Sequence, residues 1–145
     1  MVVDAEAAVR AFINSRTGDL VGVGHPLQLG AFLNRQHSPG RGAYAYLTRV
    51  GGVPTLTVEQ PVDQARISAA IYAPTKLIAA RAATAYASLL HTLSLGGTRT
   101  PMGEAVCLTV DNISGPLLID DSESNHEQFR YLVDADFLLA DPALI

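Results

Sequence analysis

Carboxylates are the residues of this chain whose types and spacing come nearest to chemistry. Asp134 and Asp136 stand two apart in an alternating run. That spacing puts both on one face of a strand about 7 Å apart, within the range of paired glycosidase carboxylates. The same alternation demands polar residues here on the outer face of a strand buried on one side. Asp120, Asp121, Glu123 and Asn125 place oxygen ligands as a calcium loop does, but the glycine turn and the closing glutamate are out of register, so the segment reads as a solvated acidic loop. His126-Glu127 begins like a zinc-protease helix, yet Arg130 occupies the place of the second histidine. His25, His37 and His91 lie far apart in sequence, and no structural metal is expected.

Other constellations fail at named positions. Gly22-Val23-Gly24 hints at a phosphate loop, but Leu27 stands where the third glycine of the dinucleotide fingerprint belongs. The stretch from Gly97 to Gly103 has neither the spacing nor the lysine of a Walker loop, and no Gly-x-Ser-x-Gly elbow occurs. Cys107 lies mid-strand among apolar neighbours, where a thiol is a small inert hydrophobe. Asn112-Ile113-Ser114 matches the glycosylation triplet, a chance match for a chain without a secretory route. The sequence therefore offers no catalytic residue and no cofactor site.

Composition bounds the remaining possibilities. The chain has 145 residues, 48% apolar and 17% charged, with a net charge of −4. That length suits one domain with one core, spanning 1–145, and folding can bury roughly 70% of the unfolded surface. The low charged fraction is oily for a monomer and points to a partner. Every basic residue except Lys76 is an arginine, and these are scattered without a stripe that could track phosphates. Passive enclosure of DNA needs no such stripe. The single cysteine fits a reducing compartment. Asp4 and Glu6 stand where a signal peptide would be basic. Arg81 and His91 interrupt the oily run from Leu77 to Leu95, so no membrane segment is expected.

Periodicity then sets out the elements. Asp4 caps a helix from about Ala5 to Asn14 whose face is Ala5, Ala8, Val9, Phe12 and Ile13. From Asp19 to Ala43, glycines, prolines and polar residues make an irregular arm. A strand from Tyr44 to Val50 ends at a Gly51-Gly52 turn, and a proline-containing connection runs from Val53 to Gln64. Arg66 to Ala73 alternates, with Ile67, Ala69, Ile71 and Ala73 inward. Thr75 caps the longest helix, with Leu77, Ile78, Ala82, Ala85, Tyr86, Leu89 and Leu93 on its apolar face. Two further strands follow, Ala105 to Ile113 burying Val106, Leu108 and Val110, and Phe129 to Ala140 burying Tyr131, Val133, Ala135, Phe137 and Leu139, with the acidic loop SGPLLIDDSESNHEQ between them. The expected architecture is α+β: a mainly antiparallel four-stranded sheet packed by one long helix, with a short N-terminal helix and an irregular arm.

The order and texture of these elements resemble the tail terminator, or tail completion, proteins of long-tailed bacteriophages. The resemblance runs over nearly the whole chain, through AYAYLTRV, ARISAAIYAPTKLIAARAA and GPLLIDDSESNHEQFRYLVDADFLLAD. It implies a structural virion protein, not an enzyme: a homo-oligomer forming a hexameric ring on the head-proximal end of the tail tube. That ring would end tube polymerisation and join the tail to the head-tail connector, or stopper, protein. DNA would pass through its lumen without specific recognition, and the protein would be assembled in the host cytoplasm and reside in the neck region of the virion. No membrane and no cofactor are implied. A ring of this kind needs a heterologous interface that closes by rotation rather than a reactive side chain.

Candidate contacts between neighbouring subunits are Arg35, His37 and Arg41 in the arm, and Asp120, Asp121, Glu123 and Glu127 in the acidic loop, whose charges are opposite. Two alternatives stand beside this expectation. One is a small α+β enzyme or ligand-binding domain with an acidic residue such as Asp134 as its base. The other is a tube, stopper or adaptor subunit of the same particle.

Overall fold

A computed structural model describes residues 4–16, 30–32, 43–57, 60–73, 75–96, 99–119 and 129–144. The described elements are α1 (Ala5–Ser15), β1 (Gly30–Phe32), β2 (Tyr44–Thr57), β3 (Gln60–Ala73), α2 (Lys76–Gly96), β4 (Thr100–Met102), β5 (Ala105–Ile119), β6 (Phe129–Ala140) and a closing 3-10 turn (Pro142–Leu144). They form an α+β fold with one sheet in the order β1-β2-β3-β6-β5-β4. The four long strands are the expected ones and are antiparallel to one another; three-residue strands added at the two edges make six, and β1 pairs in parallel with β2.

Both helix starts follow from their caps. The Ala7 amide donates to Asp4 Oδ1 at 3.1 Å, and the Ile78 amide donates to Thr75 Oγ1 at 3.2 Å. Each cap satisfies an amide that the first turn leaves without a helical partner. The buried face of α1 is Ala5, Ala8, Val9, Phe12 and Ile13, as its periodicity requires.

The long helix differs from expectation. Its buried residues are Ala79, Ala82, Ala83, Tyr86, Ala87 and Leu90, while Leu77 is 54% exposed and Ile78, Ala85, Leu89 and Leu93 lie at the margin. The apolar face is thus rotated from the leucine stripe by roughly one residue position, about 100°. The reason is steric: alanines fill most of the buried positions, so the helix can approach the sheet closely, chiefly over β5 and β6, with Tyr86 and Leu90 as the bulky members of that face.

The sheet also departs from the sequence pattern in β2 and β3. Gly51-Gly52 is not a terminal turn, and the proline-containing stretch is not a connection. The strands continue as one long ribbon, pairing Arg49 with Ile67, Gly51 with Arg66 and so on to Thr57 with Gln60. The glycines accommodate a bulge between Arg49 and Gly51. Gly52 has φ +107°, and a Cβ there would lie 2.0 Å from the Gln64 carbonyl oxygen, so this position accepts only glycine.

A second correction concerns β5. It runs on to Ile119, taking in residues expected in the acidic loop, and its pairing with β6 shifts between Cys107 and Thr109. The shift makes Leu108 the extra residue: Val106 and Val110 are buried as expected, Leu108 is not, and Ala105 and Cys107 join Val110 in the core cluster. On β6, Val133, Ala135, Phe137 and Leu139 are buried as expected, with Tyr131 partly buried against them.

Helix α1 touches β1 and β2 near one edge and β4 at the other. Six strands laid flat would separate their outer members by about 24 Å, whereas an 11-residue helix is about 16 Å long. The sheet reaches α1 from both sides because it is curled. Residues of both helices belong to one core cluster, on one face of the sheet.

Tyr86 is 1% exposed, and its hydroxyl has no hydrogen-bond partner among the described residues. A buried hydroxyl left unmatched costs stability. Tyr86→Phe is therefore expected to leave stability unchanged or raise it by about 1 kcal/mol in urea melts. A loss above that size would show that the hydroxyl is satisfied.

Candidate functional site

The seven charged positions predicted to meet neighbouring subunits, Arg35, His37, Arg41, Asp120, Asp121, Glu123 and Glu127, lie outside the described residues. So does His126, where the zinc-like motif began. Two polar clusters stand within the described part, one on each face of the sheet.

The first is on the helix-bearing face and was not singled out from sequence. Arg49 and Asp63 form a two-pronged ion pair with both N···O distances 2.7 Å. Their side chains are 29% and 6% exposed. Arg49 Nε also donates to the Gly51 carbonyl at 3.2 Å, so its side chain runs along the bulge toward Asp63. From α1, Glu6 accepts the Arg49 backbone amide at 2.8 Å. The hydrogen bonds to Asp63 raise the Arg49 pKa above its ordinary value; burial opposes this, and the charges of Asp63 and Glu6 reinforce it. A signal existed in the sequence: Arg49 shares the parity of Ala45 and Leu47, and a charge at an inward position needs a partner.

The second cluster holds the two aspartates that sequence spacing brought together. Asp134 and Asp136 do share the outer face, opposite Ser68 and Arg66 on β3. Asp136 accepts from Arg66 Nη1 at 3.1 Å and from Asn112 Nδ2 at 2.8 Å. Arg66 also reaches the Asn112 carbonyl at 3.3 Å and Ser114 Oγ at 3.4 Å. Asn112 has φ +52°, a conformation asparagine tolerates better than most residues, within the irregular pairing between Asp111 and Ser114. Asp136 is thus held in a structural network. Asp134 lies between Ser68 and Ser114 in register, and its Oδ1 is buried without a hydrogen-bond partner among the described residues.

Cys107 is buried in the core, where its thiol donates to the Thr109 carbonyl at 3.3 Å. Burial pushes its pKa from 9.0 up to about 11. Burial likewise raises the pKa of Tyr86, with the nearby Asp134 and Cys107 charges acting in the same direction. A thiol in this state is neither a nucleophile nor a metal ligand near neutrality. Among the described residues no group of three or more His, Cys, Asp or Glu could hold a metal, and no helix is long and apolar enough to cross a membrane.

The most exposed large apolar side chains on the sheet are Leu117 at 59%, Leu118 at 39% and Phe129 at 38%, with Val50 at 54% on β2. Leu117 and Leu118 pair with Leu132 and Tyr131, and Phe129 begins β6, so all three lie at the same end of the sheet. β4 flanks β5 only at Ala105–Cys107, so among the described strands the later part of β5 is an edge. A scan against protein-family models and a search of curated proteins find no match for this chain.

Two outcomes follow from these clusters. Removing one partner of a buried ion pair costs about 3–5 kcal/mol, and the partial exposure of Arg49 reduces this, so Asp63→Asn is expected to destabilise by about 2–3 kcal/mol in urea melts. A change below about 0.5 kcal/mol would mean that solvent screens the pair. For Cys107, the raised folded pKa means that the native state retains a proton the unfolded state releases. Stability is accordingly full below pH 9 and falls as pH rises toward about 11. In Cys107→Ala the fall should begin at higher pH; identical profiles would exclude the thiol as its source.

Proposed function

We propose that this chain is a ring-forming structural subunit that caps the head-proximal end of a bacteriophage tail tube, ends tube polymerisation and joins the tail to the head connector, with DNA passing through the ring. The role within the particle rests on the resemblance in element order. The observation that carries the assembly function is the exposed apolar area at one end of the β5–β6 ribbon, where Leu118 and Phe129 share the face that bears the helices and Leu117 lies on the other face. Grouped apolar side chains of this size on a polar surface mark contact sites.

A closed ring requires two different surfaces per subunit that meet head to tail. Val50 on β2 and the Leu117–Leu118 pair on β5 lie on opposite sides of the central β3–β6 pair and supply apolar area on both. The β5 edge itself suits side-chain docking better than strand addition, because bulges and Pro116, which has no N–H, interrupt its hydrogen-bonding row. The expected arm and acidic-loop contacts, Arg35, His37 and Arg41 against Asp120, Asp121, Glu123 and Glu127, would add charge complementarity between subunits. A tube, stopper or adaptor subunit would use the same kind of surface.

One observation favours a second reading, in which Asp134 acts as a base: its Oδ1 is buried and has no hydrogen-bond partner among the described residues. An Asp134→Asn variant that still assembles and supports infectious particles would dismiss that role.

Replacing Leu117 and Leu118 together by Asp should abolish the assembled species in sedimentation velocity while circular dichroism and the melting temperature stay near those of the parent, since both side chains are exposed. Assembly at parental levels would remove the patch, and with it the structural support for this function.

A further inference from the structure

We draw no further inference here: the strongest candidate, the sheet face turned away from α1 and α2 where the Arg66–Asp136–Asn112 cluster sits among apolar side chains of β3, β5 and β6, is an unpartnered face and nothing in the structure shows what covers it.

Discussion

The ion pair between Arg49 and Asp63 holds together the parts of this fold that would otherwise slide. Both residues occupy inward positions on adjacent strands, where a one-residue slip would carry each to the opposite face. The bidentate geometry of guanidinium on carboxylate, with both distances 2.7 Å, penalises such a slip more sharply than apolar contacts do. Because Arg49 sits at the bulge, the same residue fixes where the ribbon of β2 and β3 bends. Glu6 then closes the backbone amide of Arg49 from α1, which ties the first helix to the sheet at that bend. The pair thus sets register, curvature and helix placement together.

Curvature in turn determines how the core is filled. On the buried face of the long helix, alanines predominate: Ala79, Ala82, Ala83 and Ala87 belong to the same core cluster as Ala65, Ala69 and Ala135 of the sheet. Bulk enters only where the layers diverge, at Tyr86, Leu90, Phe12 and Phe137. The outer face has a different organisation. Its centre is the polar network of Arg66, Asp136 and Asn112, and Asp136 lies between Arg66 on one side and Asp111 on the other. The arginine offsets the like-charge neighbour, so the network is a structural solution to a crowded row of charges.

Much of this was legible in the amino-acid order. The α1 face, the inward residues of β3 and β6, both helix caps and the four long antiparallel strands follow from periods of 3.6 and 2 and from capping chemistry. What periodicity misjudged has a common cause: glycine and alanine carry little weight in hydrophobic patterns yet decide local geometry. Gly51-Gly52 signals a turn in any local window, and only the pairing of Asp63 with Arg49 across the ribbon shows a strand passing through. The alanine face of α2 was hidden behind the louder leucines at its margins. The bulge at Leu108 is set by the register of β6, which no local window of β5 contains. The same limit applied to the polar residues, since spacing found Asp134 and Asp136 but could not tell that Arg66 and Asn112 engage Asp136 and not Asp134 Oδ1, which has no partner among the described residues.

In the described part of the chain, the paired charges serve the fold, and Leu117, Leu118 and Phe129 expose apolar area at the end of β5 and β6, as Val50 does on β2 and Leu77 and Leu95 do on α2. That division suits a subunit whose work is to fit others. The most direct measurement is electron microscopy of the purified protein, alone and mixed with tail-tube protein. The account predicts closed six-fold rings, free or seated on tube ends; long tubes built of this chain, or monomers that neither close into rings nor bind tube ends, would contradict it.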